Sequence, residues 1–322
     1  MSNPVRALPS LERLMTGLRS VLDTQLSSTW DCEVLQREAN IYASTFPSEV
    51  VTCRWADGAV VQLFCKYSAS RNRNTYGHRG GLVYEALVYE RILPRVELSA
   101  PFYYGSYHCA GNDEQWLILQ YLGHSCRLAS SEDDTAVTKA AHWIGEFHSF
   151  WATRDATSSL GFLTRYDIEY FSGWSERAYK YSIEANLESS WLKQVCAHFP
   201  KWVEVLLDRE QSVIHGEYYP KNILFGDDRV YPVDWESTAL GPGEIDLATL
   251  TEGWPPYYVG RIESDYRQVR WGGVPPSDFS HALQVARIYL HLRWLGDRPE
   301  WTAEMTDRFD SLKRDAETLG ML

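Results

Sequence analysis

Several features that would place a 322-residue chain quickly are missing from this sequence. Its six cysteines, Cys32, Cys53, Cys65, Cys109, Cys126 and Cys196, form no C-x-x-C pair and follow no secretory leader. That scatter argues against a disulfide framework and predicts a reducing, cytoplasmic setting. No apolar run approaches the roughly 20 residues of a membrane span, so the reading is a soluble protein without a membrane anchor. Positive charge is scarce as well: 31 Lys and Arg face 43 Asp and Glu, a net charge of -12. Nucleic acid is therefore a poor partner, because phosphate backbones call for a basic face. There is no internal repeat, no low-complexity tract and no H-E-x-x-H or other dense ligand set, which weakens a metal-dependent hydrolase.

What the sequence does have is enough apolar residues, 44%, to bury a sizeable core in two lobes. Thirteen Trp and 20 Tyr are a high load. They suit a stacking or cation–π pocket as well as ordinary packing. The acidity fits a cationic partner as well as plain solubility.

The first part of the chain is mostly strand-like and the second mostly helical. Leu11, Leu14, Leu18, Val21 and Leu22 give 8–26 a helical stripe, and strand-like segments follow at 32–42 and 49–55. Ala56-Asp57-Gly58 is a turn signal between VVTCRW and AVVQLFCKY, which puts Lys66 near the end of a strand. GLVYEALVYERIL sets Leu82, Ala86, Tyr89 and Leu93 on one helical stripe flanked equally by Glu85 and Glu90. WLILQYLG, 116–123, has the length of a strand. Helical patterns then recur at 135–152, in parts of 174–206, and at 281–295. A linker near 122–131 divides a unit of 1–122 from one of 123–322. Asp246 reads as a cap for the helix after it, and His148 and His291 as packed or hydrogen-bonded histidines on helical stripes.

The stretch VIHGEYYPKNILFG, 213–226, interrupts two apolar runs with a histidine, a glutamate and an asparagine. Beyond it, Gly226-Asp227-Asp228 is a turn signal between ILF and VYPVDW. Pairing Phe225 with Arg229 would bring Asn222 and Asp234 to the same end of a short hairpin. Hard oxygen ligands converging there suit Mg²⁺, which completes its shell with waters and phosphate oxygens. Glu217 follows as a second carboxylate.

His215-Gly216-Glu217, then Asn222, then Val233-Asp234-Trp235-Glu236 and GPGEIDLA at 241–248 together resemble the aminoglycoside phosphotransferase and choline kinase superfamily. The resemblance runs, more weakly, from about residue 33 to about residue 295, and leaves the N-terminal helix unexplained. It implies an α+β, bilobal protein-kinase-like fold, with a β-rich N-lobe carrying one main helix and a mostly helical C-lobe. It further implies that Lys66 pairs with the phosphates of ATP and with a helix glutamate, for which family position favours Glu85. The backbone around Gln120 to Leu122 becomes the hinge that hydrogen-bonds adenine. The segment YASTFPSEV, 42–50, with Ser44 and Ser48, becomes the phosphate-covering loop, although it has no G-x-G-x-x-G. Asn222 and Asp234 become the Mg²⁺ ligands, Glu217 the base, and His215 a brace for the loop.

The superfamily has aspartate where this chain has Glu217. One methylene adds roughly 1.5 Å of reach, and a misplacement of about 1 Å can cost on the order of 100-fold in rate. Two functions from different classes are therefore expected. One is an ATP- and Mg²⁺-dependent enzyme phosphorylating a hydroxyl of a small molecule such as an amino sugar, an antibiotic or an amino alcohol, working as a monomer or homodimer. The other is a nucleotide-binding pseudokinase with a regulatory or scaffold role. A protein kinase is disfavoured, because WESTALGPGEIDLA follows Asp234 without an A-P-E element. The aromatic and acidic helical stretch 163–184 and the loop 252–266 are the expected walls of an acceptor pocket, cationic acceptors included.

Overall fold

The computed structural model describes residues 8–26, 32–40, 46–68, 76–109, 114–152, 160–187 and 189–322. The chain divides into two compact units. The first runs to Ser125, except for a short stretch ending at His78, and takes back Tyr231–Glu236. The second holds that stretch, Cys126–Val230 and Ser237–Leu322.

In the first unit, helix α1 (Leu11–Leu26) precedes strands β1 (Cys32–Ala39), β2 (Ser48–Trp55) and β3 (Val60–Tyr67). Helix α2 (Gly81–Arg91) and strands β4 (Tyr103–Cys109) and β5 (Glu114–Gln120) follow. The strands form one antiparallel sheet in the order β1-β2-β3-β5-β4. The period-2 alternation in β3 buries Leu63, Cys65 and Tyr67 on one face, where they meet Leu14, Leu18 and Leu22 of α1. Lys66, between them in sequence, points to the other face. On β3, the central strand, it pairs in register with Ser48 of β2 and Leu117 of β5. The expected turn joins β2 to β3: Trp55 N donates to Ala59 O, and Gly58, at φ 86, occupies the position that favours glycine.

In the second unit, two-residue strands β6 (Cys126–Arg127) and β7 (Thr164–Arg165) flank helix α3 (Ala136–Ala152). Helices α4 (Ile168–Glu184), α5 (Ser190–Trp202) and α6 (Glu204–Leu207) lead to strand β8 (Gln211–Ile214). Strand β9 (Ile223–Gly226) turns into β10 (Arg229–Pro232), whose last two residues already belong to the first unit, and β11 (Ala239–Pro242) leads to α7 (Glu244–Thr251). Helices α8 (Pro256–Trp271), α9 (Phe279–Asp297), α10 (Pro299–Glu304) and α11 (Thr306–Thr318) complete the unit. Phe147 of α3, Phe171 and Trp174 of α4 and Tyr289 of α9 are fully buried at its centre. The sheet β7-β11-β8 fixes the end of β8, with Ala239 opposite Ile214, so the chain leaves it at His215 from a defined position. None of the helices in the described residues is long and apolar enough to cross a membrane.

Some local expectations are corrected. Strand β1 ends at Ala39. The segment expected as a loop at 252–266 is helical from Pro256, because a proline at the first helical position presets φ and needs no amide partner. The turn after β9 contains only Asp227 and Asp228, both at positive φ, 49 and 60. That is the signature of a two-residue hairpin loop, which sets Gly226 rather than Phe225 opposite Arg229.

Candidate active site

The first unit carries a charged cluster centred on Lys66. Its Nζ donates to Glu85 Oε2 and to Asp234 Oδ1, both at 2.6 Å, and lies 5.3 Å from the centre of the Phe46 ring. Burial alone would lower the lysine's pKa, but the charges of Asp234 and Glu85 outweigh it and hold the ammonium well above its ordinary range. Between the two glutamates that the helical pattern leaves equivalent, α2 buries Glu85 and exposes Glu90. Asp234 sits at φ 69, a left-handed backbone that aspartate tolerates better than most residues and that clusters at functional sites.

Glu236 joins this cluster, although the sequence reading gave it no role. It is buried, 3.5 Å from Arg79 Nε, and its carbonyl accepts from the Gly80 amide. Burial first, then the charge of Asp234, pushes its carboxyl up to about 8. Three acidic side chains thus face one lysine and one arginine, and Asp234, the most exposed of the three, is the one open to a divalent cation. Among the described residues no three His, Cys, Asp or Glu side chains form a closed cage. An open set of one or two protein oxygens is what Mg²⁺ accepts when phosphates supply the rest.

The strand β5 ends at the expected hinge. Gln120 N donates to Phe102 O and Tyr121 N to Gln62 O, so both amides are spent inside the sheet. Leu122 is the remaining amide of the three, and its carbonyl already accepts from the Ser125 backbone and hydroxyl. Ser48 is the first residue of β2 rather than part of a loop; it is buried, and its hydroxyl accepts from Asn40 Nδ2. Ser44 lies outside the described residues.

The second unit holds the His-Gly-Glu loop. Asp246 is an internal residue of α7 and not its cap: its carboxylate accepts from the backbone amides of His215 at 2.6 Å and Gly216 at 2.8 Å. The same carboxylate faces His148 Nε2 at 3.1 Å, and His148 Nδ1 contacts the Tyr266 hydroxyl. His148 is thus a packed, hydrogen-bonded histidine, with burial lowering its pKa. Gly216 has φ 80, and a Cβ there would lie 2.1 Å from Ser237 O. The loop therefore requires glycine. His215 is fully buried, and its Nδ1 accepts from the Glu217 amide at 3.3 Å. Asn222 closes a short 3₁₀ turn, Pro220–Asn222, and its Nδ2 donates to Glu217 O. This leaves the amide oxygen of Asn222 as its acceptor.

Glu217 itself is 4% exposed. Its Oε1 lies 3.2 Å from Arg293 Nη1 and 3.1 Å from His78 Nε2. Neither partner was singled out from the sequence. Arg293 had left a signal: it falls on the apolar stripe of α9, seven residues after Ala286 and four after Tyr289, where a charge is out of place. His78 had left none.

A lysine on the third strand of an antiparallel sheet, paired with a helix glutamate, and a separate helical unit with a glycine-turned acidic loop define the protein-kinase-like fold of small-molecule phosphotransferases. The sequence profile of the phosphotransferase enzyme family matches residues 87–272, more than half of the chain. The chain belongs to that family.

An N-acetylmuramate/N-acetylglucosamine kinase of Pseudomonas aeruginosa is 23% identical over 142 residues, 41% of this chain. The match spans about two fifths of that relative's length, 41%. Among solved structures, choline kinase from Cryptosporidium parvum superposes with a TM-score of 0.65 at 12% identity, covering 97% of this chain and 98% of the other. The GDP complex of wild-type aminoglycoside 2'-phosphotransferase-IIIa gives 0.63 at 11%, covering 96% and 98%. At these identities the shared property is the fold.

Proposed function

We propose that the protein transfers the γ-phosphoryl group of ATP to a hydroxyl of a small molecule, with Mg²⁺ as its metal. Amino sugars, related antibiotics and amino alcohols are the acceptor classes on which its relatives act by name. The observation that carries the reading is the Lys66 ammonium held 2.6 Å from both Glu85 and Asp234. That arrangement readies a cation for the phosphates. The Leu122 amide serves adenine. Asn222 and Asp234 each offer an oxygen to Mg²⁺, which when bound neutralises phosphate charge.

Glu217 accepts the proton of the acceptor hydroxyl as that oxygen bonds to the γ-phosphorus. The bond from the γ-phosphorus to the bridging oxygen breaks, and ADP leaves with the electron pair. His215 holds the loop in shape through the Glu217 amide. Purified protein with Mg²⁺ and ATP is expected to release ADP on addition of one member of a panel of N-acetylglucosamine, N-acetylmuramate, choline and kanamycin. A second reading, a nucleotide-binding protein without turnover, draws on the burial of Glu217 beside Arg293 and His78. ATP raising the melting temperature with no ADP release on any acceptor is the outcome that favours it.

A further inference from the structure

Glu217 raises a problem that the proposed reaction must solve. Its side chain is one methylene longer than the family's aspartate, so its carboxylate has about 1.5 Å more reach and one more free torsion. Placement errors of about 1 Å cost on the order of 100-fold in rate. The structure holds that extra length with two contacts to the same atom. Arg293 Nη1 and His78 Nε2 both approach Oε1, at 3.2 and 3.1 Å, from α9 and from the stretch preceding α2.

Both partners are themselves fixed. Arg293 is fully buried, and its Nη2 donates to the Tyr219 hydroxyl at 2.8 Å, which also accepts from Trp294 Nε1. His78 Nδ1 lies 3.1 Å from the Tyr166 hydroxyl and 2.9 Å from that of Tyr170, and Tyr170 in turn meets the Tyr289 hydroxyl. A neutral imidazole with its proton on Nε2 satisfies both sides, donating to Glu217 and accepting from a tyrosine. A buried arginine is costly unless it is paired, and here its carboxylate partner is Glu217.

We propose that Arg293 and His78 are positioning residues that clamp Oε1 of Glu217, taking up the added methylene so that the carboxylate stands where the shorter aspartate would. The clamp rests on the reading of Glu217 as the base. It touches neither nucleotide nor acceptor, so its loss lowers kcat and spares the KM for ATP.

The test is a double-mutant cycle on ADP release with Mg²⁺, ATP and whichever acceptor of the panel turns over fastest. Arg293→Met is expected to lower kcat about 100-fold in the Glu217 enzyme. In the Glu217→Asp background, where the shorter side chain does not reach the clamp, the same change is expected to cost less than about 3-fold. Equal losses in both backgrounds mean a merely structural arginine and overturn the proposal. If Arg293→Met does not fold, His78 decides it. His78→Gln keeps a donor near the Nε2 position and retains at least a third of kcat, whereas His78→Phe loses about as much as the arginine variant. Equal activity of Gln and Phe at 78 overturns the proposal. A wild-type protein that binds ATP and phosphorylates nothing in the panel overturns both the clamp and the phosphotransfer reading; an active wild type with unchanged variants overturns the clamp alone.

Discussion

Lys66 and Asp234 are 168 positions apart in the chain, yet Nζ and Oδ1 are 2.6 Å apart in the folded protein. Tyr231–Glu236 accordingly belongs to the same compact unit as β3, although it lies between long segments of the other unit. With Glu85 as its second partner, the lysine neutralises one nearly buried carboxylate and one that is 36% exposed.

Lys66→Met removes the counter-charge from Glu85 while keeping the length of the stem. Breaking a buried pair from one side costs about 3–5 kcal/mol. Burial already raises the Glu85 carboxyl, so protonation limits the cost in acid. Urea unfolding is expected to show a deficit of about 3 kcal/mol at neutral pH, and a smaller one at pH near 5. Transfer to any acceptor is expected to fall by at least about 100-fold. A variant as stable as wild type at both pH values would contradict the charge balance described for this cluster.

Glu236 makes the stability of the nucleotide-free protein depend on pH. Its folded-state value, about 8, lies above the ordinary 4.5. The folded state therefore holds a proton that the unfolded chain has given up. Its contribution is fully present below the unfolded value and is lost as pH rises through about 8. The melting temperature is expected to fall between pH 5 and 8.5, and Glu236→Gln, neutral throughout, to flatten that slope and to melt higher than wild type at pH 8.5. Parallel melting curves for the two proteins across this range would exclude the effect.

Much of this was legible beforehand, and the gaps have physical causes. The β2–β3 turn announced itself through Asp57-Gly58, and the helical stripes of α1, α2, α3 and α9 through their spacing. The ordered His215, Glu217, Asn222 and Asp234 pointed to the family that the profile match shows. Helical periodicity could not separate Glu85 from Glu90, because both flank one stripe; only the sheet beneath α2 makes that choice. Asp246 looked like a cap because an acidic residue early in a helix usually serves its own amides. Here a stronger demand, two amides of the His215 turn, captures it. His78 and Glu236 gain their roles from partners far away in sequence, and no local pattern encodes such partners.

Gly216→Ala tests the turn itself. The residue lies at φ 80, where a side chain costs about 1–2 kcal/mol, and the new Cβ would sit 2.1 Å from a backbone oxygen that cannot swing away. A loss of at least about 3 kcal/mol in denaturant unfolding is expected, the backbone term and the overlap together. A loss below about 1 kcal/mol would mean that the loop relaxes far more readily than its packing suggests.

Asp246→Asn tests what holds that turn. The aspartate accepts from three donors: His215 N and His148 Nε2 converge on Oδ2, and Gly216 N reaches Oδ1. An asparagine has one oxygen for these sites and turns its NH₂ group on the remaining donor. The best orientation keeps the oxygen at the Oδ2 position and faces NH₂ against the Gly216 amide, stranding a buried N–H at a cost of about 1–3 kcal/mol. Loss of the charge-assisted bonds adds to this, for a total of about 3 kcal/mol. Released from one anchor, the Gly216 peptide shifts and carries Glu217 with it, so kcat is expected to fall by about 10- to 100-fold. Lys66, Glu85 and Asp234 make none of these contacts, so the rise in melting temperature on adding ATP should persist. Loss of that thermal shift along with kcat would show that Asp246 supports more than the turn.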